Sequence, residues 1–181
     1  GMLVGHNTLR LMVMGMDERP PTPGELAAMT ALLGEALAAG ALGLSSGLFT
    51  APGAYAQPDE MIALCHVVKR HNAGYFTHIR DESSKVIEAV GEAIAIAEAC
   101  GVHVQIVHLK CSGMDNWGKA ARVLDMIAQA KALISRGVRV VLEPGTLKII
   151  CTNSEQEEAD EELEIAYQGE PLDIGFNITY L

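Results

Sequence analysis

Apolar residues in this chain recur at two spacings, and the change from one to the other sets the expected architecture. Runs of five to seven residues that read as strands lie at 9–14, 41–45, 74–78, 102–108 and 138–142. Their starts fall about 30 residues apart, the length of a strand with its crossover helix. The segments between them carry apolar positions three and four residues apart, as one face of a helix requires. Thr22-Pro23-Gly24-Glu25 opens the first, with Leu26, Met29, Leu32, Leu33, Ala36 and Leu37 on one stripe and Gly40 as its stop. Pro58-Asp59-Glu60 opens the second, which aligns Met61, Leu64, Val67 and Val68 and ends near Asn72-Ala73-Gly74. Ser83 or Ser84 caps the third, with Val86, Ile87, Val90, Ile94 and Ile96 inward and Gly101 as terminator. The fourth covers 119–135, packs Ala120, Val123, Leu124, Ile127 and Leu133, and ends at Gly137. Four strand–helix units in series predict an α/β fold whose parallel sheet is a partial (β/α)8 barrel, about half of one.

Beyond residue 139 the period shortens to two. Residues 138–143, a Pro144-Gly145 turn, 147–151, 163–167 with Leu163, Ile165 and Tyr167 alternating, and 172–180 read as short antiparallel strands. The chain is therefore expected to divide into a half-barrel over 1–139 and an antiparallel β segment over 140–181.

Charge divides at the same place: 12 Lys/Arg face 13 Asp/Glu up to residue 139, whereas one Lys faces ten acids after it, leaving a net charge of −10. The run Glu155-Gln156-Glu157-Glu158-Ala159-Asp160-Glu161-Glu162 predicts a solvated loop. The acid surplus argues against a nucleic-acid partner, which a basic patch would favour. At 181 residues the chain is short for a whole barrel of about 250 residues. Its 49% apolar content with 4% aromatics describes an Ala/Leu/Val/Ile-packed core. No apolar run reaches membrane-spanning length, and the first residues lack a signal peptide's layout. Cys65, Cys100, Cys111 and Cys151 form no CxxC pair and no disulfide-like cluster, which points to a reducing, cytoplasmic setting with Cys65 and Cys100 as core fillers.

The candidate chemistry sits at strand ends. His78 and His108 each close an apolar run, one βα repeat apart, and carboxyl ends of parallel strands converge on one face. Imidazoles there are natural metal ligands; a lone strand-end histidine is more often a hydrogen-bonded core or loop residue, and the pairing at this spacing shifts the reading toward a ligand. Arg80-Asp81-Glu82 reads either as a substrate clamp or as a local ion pair capping the next helix. Ser45-Ser46-Gly47 reads as a tight strand exit. His6 ends no expected strand, His66 and His71 fall on a helix face, and His103 alternates with the inward set.

Several motifs occur together in one order: Gly5-His6-Asn7-Thr8-Leu9-Arg10, Gly40-Ala41-Leu42-Gly43-Leu44-Ser45-Ser46-Gly47-Leu48, Pro52-Gly53-Ala54-Tyr55-Ala56, Thr77-His78-Ile79-Arg80-Asp81-Glu82, His108-Leu109-Lys110 and Asn116-Trp117-Gly118. Over roughly residues 2–139 they resemble the N-acyl-D-amino-acid deacylases, or D-aminoacylases, of the amidohydrolase superfamily. The resemblance implies a zinc-dependent barrel hydrolase acting on the amide of a small N-acyl amino acid. It also implies that His78 and His108 occupy zinc-binding positions and that Lys110 holds the substrate carboxylate. The family's His-x-His, its cysteine ligand and its aspartate have no counterpart in this segment, and neither Asp81 nor Asp115 matches that aspartate. With two imidazoles alone, zinc lacks the three protein ligands usual in a catalytic site, so weak binding and little or no hydrolysis are expected.

The tail resembles something unrelated. Arg136-Gly137-Val138-Arg139-Val140, Leu147-Lys148-Ile149, Asn153-Ser154-Glu155-Gln156-Glu157-Glu158-Ala159 and Ile174-Gly175-Phe176-Asn177-Ile178-Thr179-Tyr180-Leu181 are similar to the last domain of the bacterial DNA polymerase III sliding clamp, over about residues 136–181. Two families meeting at Arg136–Arg139 imply a fusion. A non-enzymatic fragment with an interaction or structural role is the alternative to the hydrolase reading. An open half-barrel leaves two sheet edges to be covered, so a homodimer is expected.

Overall fold

The computed structural model describes residues 1–130, 138–152, 158–164, 166–169 and 172–176. The chain divides into two compact units, Gly1–Ile134 and Ser135–Leu181.

In the first unit the element order is β1 (Leu3–Gly5), α1 (His6–Val13), α2 (Pro23–Ala38), β2 (Gly43–Gly47), α3 (Pro58–Arg70), β3 (Gly74–His78), α4 (Val86–Cys100), β4 (His103–Ile106) and α5 (Lys119–Gln129). The four strands form one parallel sheet in the order β1-β2-β3-β4. This is the partial (β/α)8 architecture, each strand followed by helix. Along the strands, Leu44, Ser46, Tyr75, Thr77, Val104 and Ile106 are buried on the helix-covered face. Ser45, Phe76, His78 and Gln105 alternate with them on the other face and are half-buried. The strands lie close where side chains are missing: a Cβ added at Gly43 would stand 2.2 Å from the carbonyl oxygen of Gly74.

The first strand differs from expectation. Residues 9–14 are not a strand; they lie in and just after α1, and the strand is Leu3–Gly5. A short apolar run cannot be assigned by composition, and here burial is decided by the helical set His6, Leu9 and Arg10, while Leu11 and Met12 are exposed. Two helices therefore separate β1 from β2.

Among the helices of this unit, α2 starts at a side-chain cap. Thr22 and Glu25 form a reciprocal capping box on α2, with Glu25 Oε2 accepting from the Thr22 amide at 2.7 Å. Hydrogen bonds from Arg19 and from Thr22 hold the Glu25 carboxyl down to about 2. Neither Ser83 nor Ser84 caps α4, whose N-cap is Lys85 without a side-chain cap bond; Asp81 ties the turn before the helix, its Oδ1 accepting from the amides of Ser83 at 2.7 Å and Lys85 at 3.1 Å. Gly101 ends that helix in the left-handed region, as its position after Cys100 anticipates. On α5, Val123 is buried, but Ala120 and Leu124 are exposed, and Leu133 lies outside the described residues. Among the described residues no helix is long and apolar enough to cross a membrane.

The second unit is an antiparallel sheet of β5 (Val138–Glu143), β6 (Thr146–Thr152), β7 (Glu158–Glu164) and β8 (Leu172–Phe176), in the order β7-β6-β5-β8. The acidic run expected as a solvated loop is in part an edge strand. Glu158–Glu164 pairs along its length with β6, and Lys148 meets Glu162 directly across at 3.2 Å. Ladder hydrogen bonds outweigh the poor strand propensity of acids when their side chains stay in water, and Glu162, Leu163 and Glu164 are exposed. Tyr167 consequently follows the strand instead of ending it, and its carbonyl accepts from the Gly145 amide at 2.9 Å. The Arg136-Gly137 half of the junction, Glu155 to Glu157 and Tyr180 fall outside the described residues.

Candidate metal centre

His78 is the last residue of β3, placed by strand alternation on the face away from the helices. Its imidazole meets Phe49 at a ring distance of 5.7 Å. His108 lies two residues past the end of β4, in the loop leading to α5, and adopts φ +39°, a left-handed conformation that histidine enters more readily than most side chains. The Val107 amide donates to the Thr77 carbonyl at 2.9 Å, which carries the β3–β4 pairing to the loop and sets His108 beside His78. The two rings stand 4.5 Å apart, edge to face. Both histidines thus meet at the carboxyl end of the sheet.

Glu82 completes the cluster. Its Oε1 is 3.0 Å from His108 Nδ1 and 3.7 Å from His78 Nε2, and its Oε2 accepts from Lys110 Nζ. Lys110 Nζ is also 3.2 Å from His108 Nδ1. The Glu82 carbonyl accepts from the Ser112 amide at 2.6 Å, so the same residue ties the β3–α4 loop to the β4–α5 loop through backbone and side chain. Burial raises the Glu82 carboxyl, but Lys110 and the two imidazoles outweigh it and hold it below the ordinary carboxylate range. Burial pushes the His78 imidazole down, Glu82 partly opposes this, and His108 and Lys110 add to it. That direction favours the neutral imidazole, the form that ligates metals.

The arrangement fits a metal ion. His78 Nε2 is buried without a hydrogen-bond partner. One ligand atom each from His78, Glu82 and His108 lies within 4.8 Å of the others. Two imidazoles and one carboxylate are a donor set that zinc uses in catalytic sites, with a fourth position left open. The expectation of a two-ligand site counted imidazoles only. Glu82 carried little signal in the sequence, because Arg80-Asp81-Glu82 offers three charged residues in a row. The structure separates them: Arg80 forks onto Glu92 at 2.9 and 2.8 Å, Asp81 ties the turn before α4, and Glu82 alone turns to the histidines. The remaining cue was the Ser83-Ser84 pair after Asp81, which favours a local cap there and leaves the longer acid free. Cys111 and Asp115 are not in the cluster. His6, which directly follows β1, is fully buried against Glu60 at 2.7 Å, and Ser46 is buried in hydrogen bonds with Tyr75 and Thr77. His103, which alternates with the buried Val102 and Val104, is exposed.

Known proteins resemble this chain in sequence and fold. N-acyl-D-aspartate deacylase of Alcaligenes xylosoxydans xylosoxydans is 44% identical over 131 residues, 72% of this chain and 26% of the relative. The crystal structure of N-acyl-D-glutamate deacylase from Bordetella bronchiseptica, complexed with zinc and a phosphonate inhibitor, superposes with a TM-score of 0.71 at 36% identity, over 78% of this chain and 32% of that one. The parallel unit matches the N-acyl-D-amino-acid deacylases. The deacylase-like unit thus accompanies a tail of different kinship. Residues 116–181 match the family described as DNA polymerase III beta subunit, C-terminal domain. The beta sliding clamp of Proteus mirabilis is 56% identical over 46 residues, 25% of this chain and 12% of the clamp. The chain spans between a quarter and a third of the deacylases it matches.

Proposed function

We propose that the deacylase-like unit carries part of the metal- and substrate-binding apparatus of a zinc-dependent amidohydrolase acting on N-acyl-D-amino acids. On its own, this chain binds the ion and the substrate carboxylate and turns over little or nothing. The convergence of His78, Glu82 and His108 around an unpartnered, buried imidazole nitrogen supports this reading most directly. A zinc ion held by these three residues supplies polarisation of the amide carbonyl and an acidified water. Lys110, whose side chain is 52% exposed beside them, provides the ammonium that holds the ligand carboxylate. Proton transfer lacks a carrier among the described residues of the cluster: Glu82 is engaged by Lys110 and both imidazoles, and Asp81 is tied to the amides of Ser83 and Lys85. General acid–base catalysis needs a carboxylate or imidazole free to take a proton.

The assembly is a homodimer in this reading. β1 and β4 are the edges of the parallel sheet, and unpaired strand edges call for cover. The match of the tail to sliding clamps favours a second reading, an interaction module without enzymatic activity.

One preparation tests these points together: metal content after dialysis against zinc, acetate release from N-acetyl-D-amino acids, and solution mass by light scattering. One zinc per chain, turnover near background and a two-chain mass are expected. No zinc uptake sinks the metal reading, sustained turnover sinks the inactivity, and a monomeric mass at micromolar concentration removes the dimer. Zinc-free protein that binds a short hydrophobic clamp-binding peptide favours the interaction module instead.

A further inference from the structure

Lys110 and a divalent cation would compete for the same electron pairs. The ammonium contacts Glu82 Oε2 and stands 3.2 Å from His108 Nδ1, and Glu82 and His108 are two of the three candidate ligands. His108 Nδ1 can donate to Glu82 or accept from Lys110, but not both. The two sides of the Lys110–Glu82 ion pair differ in freedom. Glu82 is 12% exposed and anchored through its carbonyl by the Ser112 amide at 2.6 Å. Lys110 is 52% exposed on a loop, with a four-carbon stem that can swing its charge into water without disturbing the core.

We propose that Lys110 is shared between Glu82 and the carboxylate of an incoming ligand, so that a divalent cation, by claiming Glu82, releases the ammonium to that carboxylate and the two bind with positive coupling. The inference rests on the reading of His78, Glu82 and His108 as a metal site. It adds a regulation to that site: the ion prepares the anion subsite, and the anion, by drawing Lys110 away, prepares the ion site. Coupling between two sites is reciprocal, so each ligand tightens the other by the same factor.

Calorimetric titration of the full chain with zinc, with and without saturating N-acetyl-D-alanine, reads the effect directly. Zinc is expected to bind about tenfold tighter with the carboxylate present, within the usual range of coupling between sites. Lys110→Met should bind zinc more tightly than the unaltered chain and show no coupling, while Lys110→Arg should keep the coupling. If Lys110→Met retains it, the carboxylate reaches the zinc directly and the proposal is overturned. Absence of zinc binding removes the metal site and this inference together. Zinc binding that ignores the carboxylate removes this inference alone.

Discussion

Glu60→Ala is expected to cost the first unit about 3–5 kcal/mol, the penalty for leaving a buried charge without its partner. Glu60 is 3% exposed and Arg10 and His6 are 0%. The carboxylate accepts from Arg10 Nη1 at 2.5 Å and from the His6 ring at 2.7 Å, joining α3 to α1. Arg10 is always ionised. After the substitution its Nη2 would keep only the carbonyls of Asp17, at 3.3 Å, and Arg19, at 2.9 Å. Domains are stable by only about 5–15 kcal/mol in all, so the urea midpoint should fall by a large fraction or the unit should fail to fold. A loss below about 1 kcal/mol would mean that water reaches Arg10 and that the pair is not desolvated.

The same group sets an acid limit. Burial raises the Glu60 carboxyl, but hydrogen bonds and charge from His6 and Arg10 outweigh it, and the folded value lies below the ordinary one. A depressed carboxyl contributes stability that is complete above its unfolded value, about 4.3, and is lost as pH falls through the lower folded value. The acid limb of the stability profile, measured by urea titration at a series of pH values below about 4.5, should flatten in Glu60→Gln.

His78→Ala should abolish stabilisation by zinc. A ligand at a hundred times its dissociation constant stabilises the folded state by about 2.7 kcal/mol. For a unit of this size that amounts to a rise of about 10 °C in Tm. Without His78 the cluster keeps one imidazole and one carboxylate, below the three protein ligands usual for zinc. The quantity to read is the zinc-induced increment in Tm, because in the zinc-free state the substitution also removes the ring contacts with Phe49 and His108 and the approach to Glu82, and the increment is free of that change. Retention of the whole increment would place the ion elsewhere in the chain.

Much of this fold was legible because its signals were local. The capping box at Thr22, the glycine after Cys100 and the apolar stripes of α2, α3 and α4 each act within one or two turns, and periodicity reports them. The first strand was not legible, because the apolar stretch at 9–14 suits a strand as well as a buried helix face. Contact with Glu60, some fifty positions away, fixes the outcome. The edge strand β7 was masked for a similar reason: its pairing partner, not its composition, makes it extended. At the site, the two histidines stood out through their position after apolar runs. Glu82 did not, because its place beside them depends on two loops meeting and on Asp81 being drawn off to the turn before α4.

The edge strand of the second unit has a colloidal consequence. β7 carries Glu158, Asp160, Glu161, Glu162 and Glu164 within seven residues. Two molecules joining through this edge would bring like charges to about the 4.8 Å separation of neighbouring strands. Mobile ions screen over roughly 8 Å at physiological strength, so the repulsion survives at that range. The row of acids thereby guards an otherwise adhesive backbone rim against stacking into fibres.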